Sequence, residues 1–544
     1  MSTQLQNEHD MEKIDTYQEP QVQEVDRVTV DEPYLYGGYS TLPIWKTIVI
    51  VTALTFLFIC NTGSIQSMNV AVGFVAHDLK FEPALVQWIQ SAYELSSGCL
   101  LLLFVPISDH FGARSVVIFG GSFFCVWAIA CANAQTANQF IVFRALEGAG
   151  ICAVVPAGFS VISQILPLTE GRNTMRGALL AVFAAGAPLG SGLGTIFGGL
   201  PTQYSAIEWR GIFAVFAGIS GVATIVAGLT MPPSVIRKVK GGVDYIGAAL
   251  VTTALTFIIF CLAQGPAVGW KTGYIIALLI LGVLLLGFFG FYEYWLERQD
   301  KTPMLRMSNF SRGRYAIMNF LGLVGFGSFI TWDYWAGLMY AQVHGLGAKD
   351  IMLRYLPQSI GGLIGGPLAT LLLRRVSTQI VFMLGCACTI SGSLIFALAK
   401  LTDSYWDHAQ FFGFLLCILG ACFIYQSGML YSISIVIPSE MNAAGGLFQV
   451  MTSLASSFGL VFSTMVADAH TSKSDPMRRF NYGCWTAVAY GCFALLMAIP
   501  GLWGIGVLHK TGETARVEDL VAHHHEDDVI HHHHEADRHS HVGV

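Results

Sequence analysis

Apolar residues run along this chain in long blocks, not in the alternation of strands or the narrow stripe of a surface helix. A membrane-spanning helix needs about 20 mostly apolar residues, and fourteen blocks meet that length: 46–70, 84–107, 115–134, 138–163, 175–200, 210–231, 244–264, 272–296, 314–341, 350–373, 379–400, 410–437, 441–468 and 482–508. Proline and glycine punctuate the gaps, as in "MPPSVIRKVKGG" after the sixth block and "AQGPAVGW" after the seventh. The pattern predicts an all-α membrane protein of fourteen helices, arranged as two six-helix halves with an extra pair between them. The predicted organisation is a polar tail over 1–45, a first half over 46–231, a linker with the two extra helices over 232–313, a second half over 314–508 and a second tail over 509–544. Duplicated halves with a site between them near the midplane are the usual plan of secondary transporters.

The charges set the orientation. Lysine and arginine accumulate in cytosolic loops. With the N-terminus inside, the inner loops hold Arg114, Arg172, Arg176, the Arg237/Lys238/Lys240 cluster, the segment from Arg298 to Arg314, and Arg374/Arg375. The outer loops hold Lys80, Arg210, Lys271, Lys349, Lys400, Lys473, Arg478 and Arg479, a bias of about 13 to 8 that puts both termini in the cytosol. This topology leaves the Asn309-Phe310-Ser311 sequon on the inside, where it is not glycosylated.

Composition agrees with the block pattern: 54% of the 544 residues are hydrophobic and 12% charged, against roughly a quarter charged in soluble proteins. No basic stripe or zinc-finger spacing points to nucleic acid. The twelve cysteines are scattered singly through apolar runs, apart from the intramembrane Cys386 and Cys388, so no disulfide framework or metal site is expected. The N-terminal 42 residues are acidic and polar without the apolar core of a signal peptide, which leaves the first helix as insertion signal. The tail "HHHEDDVIHHHHEADRHSHV" reads as a solvated, disordered segment, with loose zinc or copper binding as the other reading. No cofactor is implied.

Ionisable residues inside the blocks are the candidate chemistry. In "IVFRALEGAGICAVVPAGF", Arg144 and Glu147 are one turn apart, hence on one helix face. A charge at mid-membrane costs about 2.5–3.5 kcal/mol on insertion scales, so it tends to face a wet cavity or a partner. Either the two neutralise each other as a static pair that fixes helix register, or the arginine tunes a glutamate that carries protons. Glu94, in "QSAYELSSGC", lies at matching depth in the second block and either joins the same cavity or bonds a neighbouring helix. Asp333, in "FITWDYWAG", is the second half's counterpart, in the cavity or at its outer mouth.

Three motifs carry a resemblance. "VPISDHFGARSVV", between the second and third blocks, resembles the major facilitator signature G-x-L-A-D-R-x-G-R-R, with Asp109, Gly112 and Arg114 matching. "RALEGAG" resembles that family's R-x-x-Q-G-x-G, with Glu147 where glutamine is commoner. "GALLAVFAAGAPLGSGLGTIFGG" resembles the antiporter motif of facilitator drug exporters, with Gly186, Pro188, Gly190 and Gly192 among its small residues. "LRYLPQSIGGLIGGPLA" and "VIPSEMNAAGGLFQ" in the second half are similar to the fungal fourteen-span drug:proton antiporter group that includes aminotriazole-resistance, boron-export and low-affinity ammonium transport proteins. The resemblance spans about 46–509 and implies that Asp109, Gly112 and Arg114 latch the inner face, and that the Pro188 helix is the surface on which the halves rock. One departure stands out: where multidrug members often carry an acid in the first helix, "TGSIQSMNVAV" has Ser64.

Tyr93, Trp332, Tyr334, Trp335, Tyr340, Tyr425 and Tyr431 are either packing or interfacial residues or cavity-wall aromatics; in the second case the substrate is organic and amphipathic or weakly cationic. The expected function is export of a small molecule in exchange for protons, by a monomer embedded in the lipid bilayer of the plasma or the vacuolar membrane. The alternatives are uptake of a small solute or an ion such as ammonium, and a transport-inactive sensor. No nucleophile–base set, phosphate loop or metal-ligand group supports an enzyme.

Overall fold

The computed structural model describes residues 42–505, apart from 83–84, 166–178, 180–181, 234–243, 300, 302, 312–313, 401–409, 437–440, 471–476 and 504. Both terminal tails, Arg172 and Arg176, the Arg237/Lys238/Lys240 cluster, and the side chains of Asp109 and Pro188 therefore lie outside the described residues. The helices are α1 (Ile44–Asp78), α2 (Trp88–Phe111), α3 (Ala113–Ala132), α4 (Ala137–Ile151), α5 (Val154–Ile165), α6 (Gly186–Tyr204), α7 (Arg210–Thr230), α8 (Tyr245–Val268), α9 (Gly273–Arg298), the short α10 (Ser308–Ser311), α11 (Tyr315–Gln342), α12 (Ala348–Leu373), α13 (Thr378–Ala397), α14 (Gln410–Ser434), α15 (Met441–Ala469) and α16 (Met477–Gly501). Among the described residues there are no strands. In hydrocarbon a helix satisfies all its own backbone groups, and among the described residues fourteen stretches are long and apolar enough to cross a membrane.

The spans agree with the apolar blocks in number and differ at their edges. The fourth is two helices, interrupted at Cys152–Ala153. Pro156 lacks the N–H that would bond the Cys152 carbonyl, which accounts for the break. The first helix runs eight residues beyond the predicted 70, to Asp78, and the fifth span ends at Tyr204 instead of 200. The last helix starts at Met477, and its first turn carries Arg479, which pairs with Asp468 at the end of α15 at 2.8 Å.

In the first bundle α1 packs on α6 and α7, α4 on α2 and α3, and α3 on α7; in the second, α11 packs on α15 and α16, and α13 on α14 and α16. The bundles meet along three seams, α6 with α12, α2 with α15, and α1 with α11. Small residues permit these approaches: a Cβ on Gly194 would stand 2.7 Å from the Gly63 Cα, and one on Gly73 would stand 3.4 Å from the Ala341 Cβ across the α1–α11 seam. The extra pair is asymmetric. Helix α8 lies against α9, α2 and α15, so it touches both halves. It is tied to α2 by Gln87 Nε2 donating to the Ala263 carbonyl (2.6 Å) and Trp88 Nε1 donating to Gln264 Oε1 (2.9 Å). Helix α9 is mostly exposed, with Leu284, Phe288 and Phe291 facing outward as lipid-facing residues do.

Candidate functional site

Thr136 caps α4 by accepting the Gln139 N–H, and the helix then passes between α2 and α3. Its two motif glycines make that passage possible. A Cβ on Gly148 would strike the Tyr93 carbonyl of α2, and one on Gly150 would stand 2.6 Å from the Phe124 nitrogen of α3. This close fit carries Arg144 and Glu147, both fully buried, into the middle of the first bundle.

There they form a closed three-membered ring with Ser64 of α1. Arg144 Nη1 donates to Glu147 Oε2 at 2.8 Å and to Ser64 Oγ at 2.7 Å, while Ser64 Oγ donates to Glu147 Oε1 at 2.9 Å. Cys131 of α3 points its thiol at Glu147 Oε2, 3.5 Å away. The guanidinium lies 4.4 Å from the centre of the Tyr93 ring and 5.7 Å from that of Phe213, and its Nε donates to the Ile89 carbonyl at 3.3 Å. Among the described residues Arg144 Nη2 has no hydrogen-bond partner. Five elements, α1, α2, α3, α4 and α7, thus converge on one ion pair. A charged pair removed from water needs this density of partners to offset its desolvation. The Ser64 that replaces the first-helix acid is the hydroxyl that bridges the pair.

Two further carboxylates lie elsewhere. Glu94 of α2 is 6% exposed; its Oε1 accepts a 3.4 Å bond from Gln90 Nε2, and among the described residues its Oε2 has no hydrogen-bond partner. Among the described residues no hydrogen bond joins it to Arg144 or Glu147, although the fields of both Arg144 and Asp333 reach it. Asp333 of α11 sits on the seam between the halves and is 2% exposed. Asn69 of α1 donates to its Oδ2 at 2.5 Å and Gln358 of α12 to its Oδ1 at 3.2 Å, while Tyr355 donates to its backbone carbonyl at 2.9 Å. The Asn69–Asp333 bond is a direct polar link between the first and second halves.

In the signature loop Gly112 adopts φ 84°, a left-handed turn that suits glycine and lets α3 follow α2 at once. Arg114 Nη2 donates to the Gly228 carbonyl at 2.7 Å, near the end of α7. Along α6, Gly186 packs on Phe58 and Gly190 on Ile59 of α1, whereas Gly192 faces Ser359 of α12 across the seam. Of the aromatic candidates, Trp332 is buried against Phe396 and Phe414 (ring centres 5.3 and 5.1 Å), and Trp335 lies between Tyr334 and Phe480. Tyr425 donates to Gln449 Oε1 at 2.6 Å, Tyr340 to Gln410 Oε1 at 2.6 Å and Tyr93 to Asn61 Oδ1 at 2.9 Å; Tyr431 accepts the Arg314 N–H. Among the described residues no three His, Cys, Asp or Glu side chains gather into a metal-binding group.

The partners that sequence reading missed are polar residues inside apolar spans: Asn61, Asn69, Cys131 and Gln358. Their signal was the cost of an amide in hydrocarbon, which Asn69 and Gln358 meet by bonding Asp333.

Known proteins agree with this architecture. The sequence profile of the Major Facilitator Superfamily matches residues 54–460. A major facilitator multidrug transporter of Aspergillus fumigatus is 25% identical over 68% of each chain, and the aminotriazole resistance protein of Saccharomyces cerevisiae is 24% identical over 64% of this chain and 66% of its own. The methylenomycin A resistance protein of Bacillus subtilis is 26% identical over 68% of this chain and 77% of its own. In fold, the chain is similar to a POT family transporter solved in complex with 5-aminolevulinic acid (TM-score 0.62, 13% identity, 86% of this chain and 96% of that one). The chain belongs to the major facilitator superfamily.

Proposed function

We propose that the protein exports a small organic compound across the membrane in exchange for protons, with Glu147 as the group that takes up and releases the proton. The reading rests above all on the Arg144–Glu147–Ser64 ring. A carboxylate that gains a proton loses its ion pair with Arg144, and the freed guanidinium then seeks another acceptor; among the described residues Nη2 is already without one. Arg144 and Glu147 lie on α4, and Ser64 lies on α1, the helix that reaches Asp333 through Asn69. A change of charge at Glu147 therefore acts on an element that holds the two halves together. In the proposed cycle the protonated state releases α1 from the ring, the halves rock along the α6–α12 seam, and the signature loop of Asp109, Gly112 and Arg114 closes the inner end. Glu94, between the fields of Arg144 and Asp333, is the second carboxylate on the route. The names of the relatives support efflux of xenobiotics or antibiotics as the substrate class. The protein works as a monomer in the plasma membrane.

The test is resistance on expression to a panel of toxic organic compounds, with and without a protonophore, for the native chain and Glu147→Gln. Protonophore-sensitive resistance that Glu147→Gln abolishes is expected. Resistance that survives the protonophore or the substitution sinks the relay and leaves the pair as a static counter-ion. Faster entry of a solute on expression in place of resistance would favour uptake.

A further inference from the structure

A second pair of carboxylates stands apart from the ring, at the end of the extra helices that the charge bias assigns to the cytosol. Asp244 caps α8, its Oδ1 accepting the Gly247 N–H at 2.8 Å. Glu293, fully buried on α9, accepts the Leu305 N–H on Oε2 at 3.3 Å. Among the described residues no N–H or O–H donor reaches their other oxygens, Asp244 Oδ2 and Glu293 Oε1, and both crowd the spot where a Gly247 Cβ would stand. A side chain at Gly247 would displace both carboxylates. One turn below, Glu297 Oε2 accepts the Ser308 N–H at 3.2 Å. The two glutamates hold the segment 303–311 by its backbone, as a strap.

The strap occupies the seam. Leu305 is buried in an apolar cluster that also holds Leu101 and Leu102 of α2, Leu255 of α8, and Ala444 and Leu447 of α15, so the strap belongs to a core shared by the first half, the extra pair and the second half. Phe310 packs edge-on against Tyr315 at the start of α11 (5.5 Å). If α2 and α15 part at this end, the strap must leave the cluster.

We propose that Asp244 and Glu293 are a proton-binding site that locks this strap. With one proton between them the pair carries a single negative charge, and Glu293 keeps Leu305. Two carboxylates that crowd one spot, Glu293 buried and Asp244 half-buried, drive each other apart when both are ionised. When the shared proton leaves, Glu293 moves off and the strap loses its first anchor, so the strap is held at acid pH and released as pH rises. The groups around Glu293 are Asp244 from α8, Tyr292 and Glu297 on its own helix, and the Met304 and Leu305 N–H groups from the strap; on the Asp244 side, His110 at the end of α2 packs on Tyr245 (ring centres 6.2 Å). Among the described residues no ion pair joins a lysine or arginine to either carboxylate. The lock does not depend on Glu147.

Amide hydrogen exchange of the full chain in lipid nanodiscs tests it, following peptides that cover 303–311 from about pH 5.5 to about 8.5 and correcting for the intrinsic pH dependence of exchange. Protection of Leu305 and Ser308 is expected to fall about tenfold over that range. In Glu293→Gln, whose amide oxygen still accepts from Leu305 without repelling Asp244, protection is expected to stay high and flat, and Asp244→Asn is expected to behave likewise. Equal protection at all pH in the native chain, or the same fall in the folded variants, overturns the proposal. If neither variant folds, the native profile alone decides.

Discussion

Replacing Arg144 by methionine removes the donor of two of the ring's three bonds, 2.8 Å to Glu147 and 2.7 Å to Ser64, while methionine fills much of the same space. It leaves a fully buried carboxylate with one hydroxyl and one distant thiol as donors. Breaking one side of a buried ion pair costs about 3–5 kcal/mol, whereas replacing both partners by apolar residues of similar size is often neutral. At roughly 2–4 °C per kcal/mol for a bundle of this size, Arg144→Met is expected to lower the unfolding temperature by roughly 6–20 °C. Glu147→Leu, which strands the arginine, is expected to do the same. The double variant is expected to regain most of the loss, giving a coupling of about 2 kcal/mol or more in a double-mutant cycle. Thermal unfolding in detergent and substrate efflux from energised vesicles are measured on the same four proteins. A static pair and a proton relay make the same stability prediction and opposite transport predictions: the relay requires that the stable double variant have lost gradient-driven transport. Full gradient-driven transport in the double variant would refute the reasoning, and so would single variants that unfold with the native protein.

Other expectations follow from particular contacts. Gly73→Cys with Ala341→Cys brings two Cβ atoms to about 3.4 Å, close to the Cβ separation of natural disulfides. Mild oxidation of that pair is expected to cross-link the halves and stop transport, with recovery on adding reductant; transport that continues in the cross-linked protein would show that the α1–α11 seam need not open. Gly148→Ala pushes a methyl group into the Tyr93 carbonyl and is expected to destabilise the first bundle by about 1–3 kcal/mol, read as a lower unfolding temperature and reduced yield of folded protein. Asp333→Asn keeps a side chain that can bond Asn69 and Gln358, so the fold is expected to persist; a change in the pH dependence of transport without a change in unfolding temperature would mark Asp333 as a second titrating group.

The sequence made some of this legible and hid the rest for physical reasons. Fourteen helices were readable because hydrocarbon tolerates little other than a closed hydrogen-bonded helix, and the apolar blocks have the required length. The Arg144–Glu147 pair was readable because three residues make about one turn. Pro156 carried a signal for the break in the fourth span, but the run of apolar residues on both sides hid it. Ser64 was noticed only as a missing acid, because its two bonds span 80 and 83 positions of sequence and depend on how α1 and α4 pack. The Asn69–Asp333 link spans 264 positions and follows from the docking of whole bundles. The strap at 303–311 is too short and too mixed in character to register as an element, and its anchors at Glu293 and Glu297 read as ordinary charges at the end of a span.

Glu147 is the centre of the account, and proton movement through it can be measured directly. Purified protein in liposomes containing a pH-sensitive dye is supplied with substrate on one side, in the absence of an imposed gradient. The account predicts that substrate flow through the native protein drives a counterflow of protons, and that Glu147→Gln still exchanges substrate across the membrane but moves no protons. Substrate-driven proton flux in Glu147→Gln equal to that of the native protein would contradict it.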